Sequence, residues 1–87
     1  MKVFLLTFDG AQAAMSGEKE FKEAGFSARL VPTPESISAA CGLALRIKNT
    51  NAEDINQFFP EERREGTGLY LIEGEGRSKH YSALDWN

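Results

Sequence analysis

Cys41 is the only cysteine in the chain, and it stands in the stretch Pro34-Glu-Ser-Ile-Ser-Ala-Ala-Cys-Gly-Leu-Ala-Leu-Arg46, where a polar loop leads straight into a strand-like run. Thiol chemistry needs a sulfur that other molecules can reach and that can ionise, and loop-to-strand junctions on a rigid sheet are places where such groups are presented. Free cysteine is also among the most buried residue types and packs there as a small hydrophobe. Taken alone, the residue fits either role. A protease-like dyad would need the one histidine, His80, beside Cys41, although it lies in the terminal segment. Cys41 with His80 is too few ligands for a zinc site. The glycines at 66, 68, 74 and 76 do not follow a strand and open a helix as phosphate loops do, so turn chemistry explains them and no cofactor or metal is expected.

The elements that must position this cysteine belong to a chain of 87 residues, enough for one modest core in two packed layers. Hydrophobic residues at 41% and charged residues at 26% are ordinary globular usage and exclude a disordered or fibrous chain. A net charge of −3 argues against a nucleic-acid binder, which would carry a basic face. A lone cysteine cannot form an internal disulfide, so a reducing cytoplasm is the simpler expectation. Asp9 and Gly10 cut the first apolar run too early for a signal peptide, and no stretch is long enough to span a bilayer.

Val3 to Phe8 is a near-continuous apolar run ended by Asp9-Gly10, which predicts a central strand buried on both faces. Asp9 can cap the helix that follows over Gly10 to Ala24, whose stripe would be Ala11, Ala14, Met15, Glu18 and Phe21, with Gly25 just beyond its end. Glu18 is out of place on that stripe, and Lys22 four residues on offers it a surface pair. Gly17 is expected to mark close approach to the sheet. Ser27 to Val31 alternates and stops at Pro32, as an edge strand does. Pro34 to Ala40 predicts one or two helical turns closed by Cys41-Gly42. Leu43 to Lys48 then sets Leu43, Leu45 and Ile47 on a core face and Ala44, Arg46 and Lys48 on a wet one.

Thr50-Asn-Ala-Glu53 has capping-box spacing ahead of the stripe Ala52, Ile55, Phe58 and Phe59, which Pro60 ends. The charges at 61–65 suit a solvated connection, and Thr67 to Ile72 supplies a fourth strand. The order strand, helix, strand, strand, helix, strand is the split βαββαβ pattern of α+β, ferredoxin-like domains, an antiparallel sheet with two helices on one face. Residues 1–73 are expected to form that domain, and 74–87 a C-terminal extension. His80, Tyr81, Leu84 and Trp86 make the extension too apolar for a free tail, so it should serve as an added edge strand or a dimer arm. Apolar side chains left on the uncovered face of the sheet point to a homodimer.

The segment Ser38-Ala-Ala-Cys-Gly-Leu-Ala-Leu-Arg46 resembles that of the selenium/sulfur carrier protein-like family, small bacterial domains with a Ser-x-x-Cys-Gly-Leu-Ala-Leu-Arg type of segment. Leu6-Thr7-Phe8, Lys22-Glu-Ala-Gly25 and Arg29-Leu-Val-Pro-Thr-Pro34 are similar to the family as well, so the likeness runs from residue 2 to about 73, and the extension departs from it. The resemblance implies that Cys41 carries sulfur or selenium as a persulfide or selenosulfide, received from a cysteine desulfurase-like donor and handed to an acceptor protein. A carrier thiol must ionise, be open to a donor and lack a second thiol that would discharge it as a disulfide; a single cysteine meets the last condition. The end of a short helix would disfavour the thiolate. Backbone amides at Cys41-Gly42, the cations Arg29 and Arg46, and the hydroxyls of Ser36 and Ser38 are the candidates to compensate. Each also has an ordinary use, in a solvated sheet face or in turn chemistry. The alternative is a non-catalytic binding or regulatory module acting as a homodimer, in which Cys41 only packs.

Overall fold

A computed structural model describes residues 2–34, 36–37, 42–74 and 76–84, except the side chains of Arg63 and Arg77. Its elements are β1 (Lys2–Thr7), α1 (Ala11–Glu23), β2 (Ser27–Pro32), β3 (Leu43–Thr50), α2 (Ala52–Phe58), β4 (Gly68–Glu73) and β5 (His80–Ala83), with single 3₁₀ turns at Glu61–Arg63 and Gly76–Ser78. The five strands form one antiparallel sheet in the order β2-β3-β1-β4-β5. The protein is therefore α+β. β1 and β3 are neighbours inside the sheet, where the unbroken apolar run of β1 finds cover on both sides.

The pleat sorts that run. Phe4, Leu6 and Phe8 face the helices and join Leu45, Ile47, Ala28 and Leu69 from the other strands with Ala14 and Phe21 of α1 and Ile55 and Phe59 of the α2 segment. Both helices thus cover one face of the sheet. Phe21 is the hub of this layer, fully buried, with the rings of Phe26 and Phe58 set edge-on at 5.1 and 4.8 Å.

The stripe of α1 differs from the expected one. Its buried residues are Ala14, Gly17 and Phe21, whereas Met15 is 51% exposed. The reason is Gly17: a Cβ built on it would come within 2.8 Å of Phe8 Cζ, so the helix turns its bare backbone to that ring and carries Met15 away from the core. The N-cap is Gly10 and makes no side-chain cap bond, so Asp9 does not serve as the cap. The helix stops as expected, with Gly25 at φ 97° in the region that favours glycine. At α2 the cap is Asn51, one residue later than the Thr50 spacing suggests, and its Oδ1 accepts the Asp54 amide at 2.8 Å. Thr50 is still part of β3, which runs past a register irregularity against β1 with Asn49 at φ 58°.

Glu18 has a structural task beyond its 3.5 Å pair with Lys22. Its Oε2 accepts the Leu30 amide of edge strand β2 at 3.0 Å, occupying an outward donor that would otherwise invite another strand. Glu18→Ala is expected to lower stability by about 1–2 kcal/mol, the range for a charge-assisted bond that is partly open to water. Glu18→Gln keeps an acceptor and should lose less. Hydrogen exchange at the Leu30 amide checks this: unchanged protection in the alanine variant would show that the bond does not hold the edge.

The face away from the helices is not simply wet. Ala44 is fully buried there, with Leu5 at its side and Ile37, 7% exposed, over both; Val31, Tyr70, Ile72 and Tyr81 pack around them. Ile37 belongs to the connection between β2 and β3, whose described part thus folds back over the sheet. Much of the apolar surplus from which a homodimer was expected is covered in this way by the chain itself. Among the described residues Met15 is the one large apolar side chain left exposed.

Candidate functional site

The hairpin of β2 and β3 holds the segment that carries Cys41. Register fixes its base: Pro32 lies opposite Leu43, and one step further the Thr33 amide donates to the Gly42 carbonyl at 3.0 Å. The connection leaves the ladder there and turns at once, the Ile37 amide donating to the Pro34 carbonyl at 3.0 Å. Ile37 then seats on Leu5 and Ala44. Ser38 and Cys41 lie outside the described residues, as does most of the helical turn expected over 34–40. Gly42, the next residue after Cys41, is exposed, and a Cβ added to it would meet no described neighbour within 4 Å. Gly42 is therefore clear of the other described residues, whereas Ala44, two positions on, is buried beneath Ile37.

Beside the connection runs a groove of about 360 Å³, lined by Ser36, Ile37, Tyr70, Lys79, His80 and Tyr81. It joins two regions far apart in sequence, because β5 pairs with β4 and sets Tyr81 opposite Ile72 and His80 opposite Glu73. Sequence reasoning singled out His80 as a partner to test against Cys41 and as part of an extension too apolar for a free tail. It had no signal for a groove built by an edge strand and a loop from the other half of the chain.

Arg29 and Arg46 are brought together, as direct cross-strand partners on the face away from the helices. They are not gathered around Gly42. The pair sits four residues along the hairpin from Thr33 and Gly42, or about 13 Å at the ordinary rise of a strand. Arg29 and Arg46 instead line a separate pocket of about 240 Å³ with Lys22, Ser27, Ala28 and Lys48. Among the described residues no group of three or more His, Cys, Asp or Glu side chains could hold a metal ion. No helix among them is long and apolar enough to cross a membrane.

The sequence model of the family described as Putative Se/S carrier protein-like matches residues 4–71, from β1 through most of β4. The chain belongs to this family. None of the curated proteins and none of the solved structures compared with the chain matches it. As a member of the Se/S carrier-like family it has Cys41 well inside the matched region, while the Gly76–Ser78 turn and β5 lie beyond it. One wall of the groove beside the connection, formed by Lys79, His80 and Tyr81, thus comes from outside the family match.

Proposed function

We propose that this protein carries a sulfur or selenium atom on Cys41 between a donor and an acceptor protein. The observation that carries the reading is the family match over residues 4–71, which contains the chain's only thiol. In the loading step the Cys41 thiolate attacks the outer sulfur of a persulfide on a cysteine desulfurase-like donor. A sulfur–sulfur bond forms at Cys41, the donor's own sulfur–sulfur bond breaks, and the donor cysteine leaves as a thiolate with the electron pair. Unloading repeats the exchange in reverse, with an acceptor nucleophile attacking the outer sulfur and the Cys41 thiolate leaving, so the cycle needs no external oxidant or reductant. With selenium the cargo is the selenosulfide.

Three features support this reading. A lone cysteine leaves no second thiol in the chain to discharge the persulfide as a disulfide, and it suits a reducing cytoplasm. Gly42 is exposed and clear of the other described residues, and its backbone amide and the Ser38 hydroxyl are candidate donors to a charged sulfur. The neighbouring groove, with Lys79 and His80 in its wall, offers a donor's flanking residues a place to rest. Arg29 and Arg46 stand four residues along the hairpin from Gly42, so any help they give the thiolate comes through their long side chains.

The test is to incubate the chain with a cysteine desulfurase and cysteine and to weigh the intact product. One added sulfur should appear, vanish on reduction and be absent from Cys41→Ser. A wild-type chain that remains unloaded, with its native thiol unreactive until the protein unfolds, would favour the binding module in which Cys41 only packs.

A further inference from the structure

The pocket at the β2 edge gathers Lys22, Arg29, Arg46 and Lys48, four of the ten Lys and Arg residues of a chain whose net charge is −3. Its core is Arg29 directly opposite Arg46, an arrangement that disfavours folding because like charges face each other across the ladder. Among the described residues no carboxylate pairs with Arg29, Arg46 or Lys48, and Lys22 alone has a partner, Glu18 at 3.5 Å. That carboxylate is already engaged with the Leu30 amide, and the Lys22 side chain is 56% exposed. Packing gives no reason for this concentration of charge: Arg29 and Lys48 are exposed, and Arg46 is half-buried.

We propose that this pocket binds a phosphate-class oxyanion, either free or as the terminal phosphate of a small phosphorylated molecule. Two planar guanidinium forks on adjacent strands present donors in the bidentate pattern that oxyanions accept, the two lysines add mobile charge, and the Ser27 hydroxyl is a neutral donor in the same wall. A tetrahedral dianion has enough acceptor oxygens to serve several of these groups at once; a carboxylate has two. The volume of about 240 Å³ equals roughly eight waters at their share of liquid volume, room for the anion with part of its hydration. The bound anion would neutralise the Arg29–Arg46 repulsion, so binding and stability should be linked. The proposal does not involve Cys41 and stands independently of sulfur carriage.

Titration of the isotopically labelled full chain with inorganic phosphate, pyrophosphate and ADP at constant ionic strength, followed by amide chemical shifts, tests it. Saturable shifts centred on Ser27, Arg29, Arg46 and Lys48 are expected. Arg29→Gln and Lys48→Gln alter exposed side chains and should leave the fold intact, and each should weaken binding by about tenfold, the worth of one charge-assisted contact. Lys2→Gln, at a lysine that does not line this pocket, should leave phosphate affinity unchanged. Thermal melts add a readout that a merely structural arginine would not give: without anion Arg29→Gln should melt above wild type, and phosphate should raise the wild-type midpoint far more than the variant's. Equal affinity for phosphate and ADP identifies the free oxyanion as the ligand, and tighter binding of pyrophosphate or ADP identifies a phosphorylated molecule. Shifts reproduced by chloride, affinity unchanged in Arg29→Gln, or binding of an acidic peptide without binding of phosphate would each overturn the proposal.

Discussion

Ile37→Ala is expected to destabilise the protein by about 2–3 kcal/mol, the lower part of the range for truncating a buried isoleucine, because the site lies near the surface and can partly refill with water. Ile37 is 7% exposed and covers Leu5 and Ala44, which are 1% and 0% exposed beneath it. Removing three carbons opens a pit over both and loosens the apolar anchor that Ile37 gives the described part of the β2–β3 connection. The consequence should be local as well as global. Protection of the Ile37 and Thr33 amides, which hold the turn to Pro34 and the base to Gly42, should fall further in hydrogen exchange than protection of the β1 ladder. Ile37→Val, which keeps the branched shape, should lose only about 1 kcal/mol. Equal loss of protection at the connection and in β1 would show that Ile37 contributes only to the common core.

Phe21→Ala should have the largest effect on stability, about 3–5 kcal/mol. Its ring is fully buried, with those of Phe26, Phe58 and Phe59 at 5.1, 4.8 and 6.0 Å, so truncation removes the contact between α1 and the α2 segment together with its edge-on pairs. Domains of this size are stable by only about 5–15 kcal/mol, and the midpoint of thermal unfolding should fall by roughly 15 °C or more. Urea and thermal unfolding of the purified variant check it; a loss below about 1 kcal/mol would mean that the aromatic layer repacks without this ring.

The parts of the fold that could be read from the sequence are those in which one element's pattern reflects its own surroundings. The unbroken run at Val3 to Phe8 shows burial on two faces, and the alternation from Leu43 to Ile47 gives the core face of β3. Where a residue's burial depends on a distant segment, the pattern misleads. Ala44 reads as part of a wet face because nothing local shows that Ile37, seven positions earlier, folds over it. The α1 stripe is misjudged because its contact point, Gly17, has no side chain to register as apolar. The cap of α2 is displaced by one residue because β3 carries on through an irregular stretch with Asn49 at positive φ, which the capping-box spacing does not reveal.

The same division holds for the site. The hairpin connection could be recognised as the place for Cys41 from its composition, and the common face of Arg29 and Arg46 from strand alternation. That the two are direct partners, four positions away from Gly42, is a matter of register, which the turn fixes and the composition does not. The groove wall made by Lys79, His80 and Tyr81 could not be foreseen without knowing which edge the last strand would join.

That last strand also alters how the sheet meets other polypeptides. Six residues separate β5 from β4, among them Gly74 and Gly76 at φ 82° and 56°, and β5 fills four positions of the ladder from Tyr70 to Glu73. A peptide seeking to add itself to β4 would have to compete with an occupant tethered only a few residues away, whose effective concentration is on the order of millimolar. Short extended segments at ordinary cellular abundance would lose that competition. The appended strand therefore works as a built-in competitive inhibitor of strand addition at β4, and it moves the free edge out to a strand of only four residues, His80–Ala83, too short to serve as a strong template.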